Sequence, residues 1–243
     1  MRVVILCGGK GTRLSGETLV TPKPLVEIGG IPIVSHIINH FLDFGLTEFL
    51  LATGYKSENF DEYFSAKNSK KRFLDFRGRM PRVAIQDTGL ETLTGGRILR
   101  MKNLLRNEKN FVLTYGDGVS NVNILNLIEF HNNHGRIATV TAVRPPARFG
   151  VIRIDENNKV EYFQEKNQTD SGWINGGFFI LNKIIFDYLV DDQTVFEDYT
   201  LRKLTSEEQL MAFKHQEFWQ CMDTLRDKEF LEELWRSGEA PWK

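Results

Sequence analysis

Four apolar residues, Val3-Val4-Ile5-Leu6, run straight into Cys7-Gly8-Gly9-Lys10-Gly11-Thr12-Arg13-Leu14, and this junction constrains the fold more than any other stretch. Valine and isoleucine fit a pleated, buried surface, so 3–6 reads as an interior strand. Glycines directly after it permit positive φ and let backbone amides approach a ligand closely. Consecutive amides at a strand end make an anion-binding concavity. Thr12 adds a hydroxyl and Arg13 a planar fork of donors suited to phosphate. Lys23 stands between Pro22 and Pro24, whose fixed φ stiffens the backbone that carries its ammonium. The combination predicts a cradle for a nucleotide triphosphate, whereas the glycines alone also suit a plain tight turn. It is neither a P-loop, which closes on G-K-[ST], nor the dinucleotide G-x-G-x-x-G.

The rest of the chain continues an α/β pattern. Ile33, Val34, Ile37, Ile38, Phe41 and Leu42 recur at helical spacing, and a strand over 47–53 and a helix from Ser57 to Phe64 follow. Alternating strands and helices predict a layered sheet with covering helices. His36 and His40, like His131 and His134, have spacing that a metal could use, but without an acidic partner they read as polar flanks of amphipathic helices. Lys67, Lys70, Lys71, Arg72, Arg77, Arg79 and Arg82 face only Asp75 within 67–82. That run suits a solvated loop, or a lid or subunit arm closing over a polyanion.

Beyond a strand at 83–86, Thr94-Gly95-Gly96-Arg97 heads a helix over 98–105, where glycine amides could meet an anion or a base edge. The strand at 110–115 ends in Gly116-Asp117-Gly118. An aspartate freed from packing by flanking glycines suits Mg²⁺, which takes few carboxylates and keeps water; it also suits an ordinary turn. Asp223, before a helix over 224–235, is a second metal ligand or that helix's N-cap. Glu165, Lys166 and Asn175 suit a phosphorylated polyol, although a surface ion pair accounts for the first two.

Composition narrows the function. A net charge of −1 over 243 residues gives no general attraction to nucleic acid or acidic membranes. No apolar run approaches the ~20 residues needed to span a bilayer, and the N-terminus reaches the glycine turn too early for a signal peptide. The 2 cysteines suggest reduced thiols in the cytoplasm. Lys10, Arg13 and Lys23 are expected to favour a Cys7 thiolate, reachable until nucleotide binds; the alternative is that Cys7 and Cys221 are small buried hydrophobes.

The G-G-x-G-T-R-L and P-K-P-L segments together resemble the sugar-phosphate nucleotidyltransferases. Val26-Glu27-Ile28-Gly29-Gly30, Tyr115-Gly116-Asp117-Gly118, Asn175-Gly176-Gly177-Phe178-Phe179 and 219–227 resemble their cytidylyl-transferring branch. The resemblance implies one domain with a Rossmann-like, mostly parallel sheet, its nucleotide part within 1–144 and a smaller, β-rich sugar part within 145–243. It implies CTP and a sugar 1-phosphate as substrates, Mg²⁺ on Asp117 and Asp223, and a homo-oligomer. Leu6, Gly8, Gly9, Gly11, Thr12, Arg13, Lys23, Thr88, Gly89, Gly95, Arg97 and Gly116 are then nucleotide contacts, with Arg13, Lys23 and Asp117 catalytic. Gly150, Glu165, Lys166, Asn175, Gly176 and Glu197 become sugar-phosphate contacts. Cys7, Cys221 and Asn167 stand where the family usually carries alanine, proline and proline.

Overall fold

The computed structural model describes residues 1–12, 14, 20–65, 75–145, 151–164 and 172–243, with the backbone alone at 151–154, 163 and 164. Its centre is a 7-stranded sheet. β1 (Val3–Leu6) lies between β4 (Glu48–Thr53) and β6 (Asn110–Tyr115), parallel to both. β5 (Arg82–Asp87) extends the sheet beyond β4. On the other side come β11 (Ile174–Asn182), β8 (Ala138–Val143) and β12 (Leu210–His215). Only β11 runs against its neighbours, so the sheet is mostly parallel as expected. Because β11 lies between β6 and β8, and β12 borders β8, residues on both sides of 144 share this one sheet.

β1 explains why a fully apolar strand is needed at the centre. Its side chains alternate between faces, as strand geometry dictates. Val3 and Ile5 join the layer that includes helix α1 (Ile33–Asp43), while Val4 and Leu6 join the layer with Ile98, Phe111 and Phe179. All four residues of β1 are buried, which is the usual condition of a parallel strand covered on both faces. The carboxyl ends of β1 and β6 therefore emerge side by side, carrying Cys7-Gly8-Gly9 and Gly116-Asp117. Among the described residues, no helix is long and apolar enough to cross a membrane.

Helix α1 departs from the expected amphipathic pattern. His36 and His40 are buried rather than on a polar flank. A backbone carbonyl can only accept, so His36 Nε2 donates to Ile28 O at 2.9 Å and His40 Nε2 donates to Val122 O at 2.8 Å. The indole of Trp242 donates to His36 Nδ1 at 3.3 Å. Both rings serve as buried, neutral ties between α1 and distant backbone. His131 is likewise buried, against the Thr139 hydroxyl at 2.9 Å. Periodicity cannot separate these cases, because a small polar ring satisfied by a remote carbonyl looks like a surface residue in sequence.

Burial holds the pKa of His36 and of His40 at about 4, below the usual 6.5. As pH falls below 6.5, the unfolded chain takes up protons that the folded protein refuses. Stability from these rings is thus complete above pH 6.5 and is lost down to about 4. The melting temperature is expected to be flat near neutrality and to fall through that window. His40→Gln keeps a donor for Val122 but cannot titrate, so circular-dichroism melts of this variant should show a shallower fall.

The basic segment also differs from a solvated loop where it is described; residues 67–74 lie outside the described residues. Asp75 is buried and accepts from the Tyr63 hydroxyl at 2.6 Å. Phe76 is fully buried in the core. Arg77 and Arg79 reach Asp43 at 3.2 and 2.7 Å, and Arg82 pairs with Glu48. These counter-charges come from α1 and β4, so they are invisible within the run itself.

Candidate active site

Asp117 and Asp223 meet because a two-stranded ribbon carries both. β7 (Gly118–Ser120) pairs antiparallel with β13 (Trp219–Cys221), with Gly118 opposite Cys221. Met222 N then donates to Asp117 O at 2.8 Å, which closes the ribbon's end. The final helix, Leu225–Ser237, is capped by Thr224 in a reciprocal box with Asp227. Thr224, not Asp223, is the N-cap, and the Asp223 carboxylate is left for other work.

That work is visible at Lys23. Its Nζ lies 2.6 Å from Asp117 Oδ2 and 2.6 Å from Asp223 Oδ1, although the partners are 94 and 200 positions away in the chain. Lys23 is buried in a short 3₁₀ turn, Lys23–Leu25. Burial pulls its pKa down, but the two carboxylates outweigh burial and leave it raised. Two carboxylates therefore converge on one cation. Among the described residues no cluster of three or more His, Cys, Asp or Glu could hold a metal. A pair of carboxylates nevertheless suits Mg²⁺, which takes few carboxylate ligands from a protein, and Asp117 and Asp223 are the residues that would hold it.

Beside this pair opens a cavity of about 570 Å³, lined by the glycine turn from Leu6 to Thr12, Lys23, the loop from Leu90 to Thr94, Arg97, Tyr115, Gly116 and Asp117. Gly11 has φ +62°, a conformation that suits glycine. At Gly8 a different reason holds, because a Cβ there would lie 2.1 Å from Arg97 Nη1. The Arg97 guanidinium is buried and ties loops together. It donates to Gly8 O at 3.1 Å, Thr53 O at 2.9 Å, Gly89 O at 2.8 Å, Leu90 O at 3.3 Å and the Thr88 hydroxyl at 2.6 Å. Thr88 and Gly89 thus stand behind the cavity wall rather than in it.

The helix expected from 98 begins earlier, at Thr94–Arg100, so Gly95 and Gly96 lie inside it. They serve close packing. A Cβ on Gly96 would come 2.5 Å from Asp192 Cα, and the Gly95 amide already donates to Thr194 O at 2.9 Å. That amide is accordingly not available to an anion in this arrangement.

A smaller cavity of about 210 Å³ adjoins the carboxylate pair, lined in part by Tyr115, Asp117, Asn175, Gly176, Trp219 and Asp223. Asn175 and Gly176 are therefore brought to Asp117 and Asp223, while Glu197 lies behind Tyr115 and lines neither cavity. Arg13, Gly150, Glu165 and Lys166 lie outside the described residues. Sequence reasoning did not single out Tyr115, Lys10 or Glu91 as lining groups; Lys10 Nζ reaches Glu91 Oε1 at 3.0 Å. Only the pairing of distant loops reveals them.

The cysteines do not fit the thiolate expectation. Cys7 is buried, and burial followed by the Asp117 charge drives its pKa upward despite Arg97. Burial, then Asp223 and Asp117, raises Cys221 to about 11. Lys23 cannot offset this, since its charge is already engaged by the same carboxylates.

Known proteins are similar to this chain along most of its length. Residues 2–228 match the model of the nucleotidyl transferase family. Glucose-1-phosphate cytidylyltransferase of Salmonella typhi is 45% identical, with 100% of this chain and 99% of the relative covered. A mannose-1-phosphate guanylyltransferase catalytic subunit beta of Drosophila melanogaster is 32% identical, over 95% of this chain and 61% of the relative. A solved UDP-glucose pyrophosphorylase complexed with UDP-glucose superposes with a TM-score of 0.73 at 17% identity, covering 98% of each chain, which supports the fold. Matched along nearly its whole length by both a family model and full-length relatives, the chain belongs to the nucleotidyl transferase family.

Proposed function

We propose that this enzyme transfers the cytidylyl group of CTP to a sugar 1-phosphate, with glucose 1-phosphate the preferred acceptor, and that it requires Mg²⁺. The carrying observation is the convergence of Asp117 and Asp223 on one cation at the mouth of a glycine-lined cavity. The 45% full-length identity to a glucose-1-phosphate cytidylyltransferase selects the base and the sugar.

In the reaction, an oxygen of the sugar phosphate attacks the α-phosphorus of CTP. The bond from that phosphorus to the bridging oxygen breaks, and pyrophosphate leaves with the electron pair. No general base is needed, because the attacking phosphate is already ionised near neutral pH. Rate enhancement then comes from positioning and charge neutralisation. Asp117 and Asp223 hold the divalent ion, which when bound neutralises phosphate charge. Lys23 stabilises the charge that grows on the α-phosphoryl group. The amides of Gly8, Gly9 and Gly11 cradle the triphosphate, with Leu6, Thr12 and Gly116 beside them. Arg97 acts on the nucleotide largely by fixing the Gly8 and Gly89–Leu90 carbonyls. Arg13 is assigned to the pyrophosphate, Lys166 to the incoming phosphate, and Gly150 and Glu165 to the sugar.

A pyrophosphate-release assay over a panel of nucleoside triphosphates and sugar phosphates tests the assignment. CTP with glucose 1-phosphate is expected to lead by about ten-fold or more in kcat/KM. A preference for UTP or dTTP would move the base assignment. No release with any pair would instead point to a subunit that senses nucleotide sugars.

A further inference from the structure

Among the described residues three cations line the larger cavity: Lys10, Lys23 and Arg97. Two of them are engaged below its surface. Lys23 is buried between Asp117 and Asp223, and the buried Arg97 guanidinium donates to four carbonyls and a hydroxyl. Lys10 differs. It stands between Gly9 and Gly11 on the glycine turn, and its Nζ meets Glu91 Oε1, from the loop between Leu90 and Thr94, at 3.0 Å. Both side chains are exposed, Lys10 by 51% and Glu91 by 76%.

The pair joins two walls that other bonds already hold. Arg97 ties Gly8 O to Leu90 O, and Leu93 N donates to Asp192 O at 2.8 Å. Breaking the contact between Lys10 and Glu91 therefore leaves both backbones in place. An exposed ion pair gains little, since water solvates each charge when the two separate. A lysine ammonium is a point charge on a flexible stem and needs no fixed geometry to change partners. A triphosphate in this cavity brings several negative charges against the single charge of Glu91.

We propose that Lys10 is a nucleotide-binding residue that Glu91 holds in the empty site and that passes to the polyphosphate when nucleotide enters. Glu91 thus competes with the nucleotide for one ammonium. This rests on the nucleotide-binding reading above and adds a residue pair to it. Its consequences are opposite in sign: removing the Lys10 charge weakens binding, and removing the Glu91 charge strengthens it.

The test is isothermal titration calorimetry with a non-hydrolysable CTP analogue and Mg²⁺, on wild type, Lys10→Ala, Glu91→Gln and the double variant. Lys10→Ala is expected to raise Kd by about ten-fold, and Glu91→Gln to lower it by about three-fold. With Lys10→Ala already present, Glu91→Gln should change Kd by less than about 1.5-fold, because the competition is gone. For CMP, which lacks the outer phosphates, the loss in Lys10→Ala should shrink to within about two-fold. Unchanged affinity in Lys10→Ala would overturn the proposal, as would a loss equally large for CMP. So would tightening by Glu91→Gln of equal size in both backgrounds, which marks a general field effect. If wild type binds a UTP or dTTP analogue in place of CTP, the base assignment fails, and the same cycle with that nucleotide decides the proposal. Absence of binding to every nucleoside triphosphate analogue would overturn both.

Discussion

Asp117→Asn and Asp223→Asn are each expected to lower kcat by two to three orders of magnitude, on the scale of removing one group that stabilises transition-state charge. Asparagine keeps the shape and an acceptor oxygen, so the ribbon of β7 and β13 should persist. The Met222 N to Asp117 O bond is a backbone bond and does not depend on either side chain. What each variant loses is half of the negative charge that meets Lys23 at 2.6 Å. Raising Mg²⁺ should partly restore turnover, because weakened ion binding is a mass-action defect. Steady-state kinetics at several Mg²⁺ concentrations, with circular dichroism for folding, give the answer. Wild-type turnover by both variants at limiting Mg²⁺ would remove the pair from the mechanism.

Lys23→Ala is expected to be comparably severe, but with a different signature. If the ammonium acts mainly on charge that develops during transfer, kcat and kcat/KM fall together, by about a hundred-fold or more. The variant also leaves two carboxylates facing each other with their shared cation removed. Like charges at that range oppose each other, so its melting temperature should fall and should recover more steeply with added Mg²⁺ than wild type does. Thermal melts with chelator and with Mg²⁺ separate this electrostatic effect from simple loss of packing. A rise in KM for CTP with unchanged kcat would instead assign Lys23 to ground-state binding.

The fold was legible because its determinants are local. Four successive β-prone residues before a glycine turn define β1, and helical spacing marks α1. Asp117 stands at the end of its strand between two glycines, as the sequence has it, whereas the N-cap of the last helix falls on Thr224 and not on Asp223. The rest depends on contacts between loops far apart in the chain. Arg97 looked like a group for the nucleotide, yet the donors of its guanidinium go to carbonyls at Gly8, Thr53, Gly89 and Leu90. Gly95 and Gly96 looked like anion-binding amides, yet they make room for the backbone of Asp192 and Thr194. His36 and His40 looked solvated, but the carbonyls that satisfy them come from Ile28 and Val122. A sequence shows that a polar group must be satisfied; only the assembled chain shows by what.

Asp117 and Asp223 are expected to form one divalent-cation site. Mn²⁺ provides a direct test, since it shares the preference of Mg²⁺ for oxygen ligands and is paramagnetic. Titrating the enzyme with Mn²⁺ in the presence of a non-hydrolysable CTP analogue, and following free ion by electron paramagnetic resonance, counts sites and reads affinity without any turnover. A Mn²⁺ site is expected in the wild-type complex, and Asp117→Asn and Asp223→Asn should each weaken it by about ten-fold or more. Wild-type Mn²⁺ affinity in both variants would contradict it.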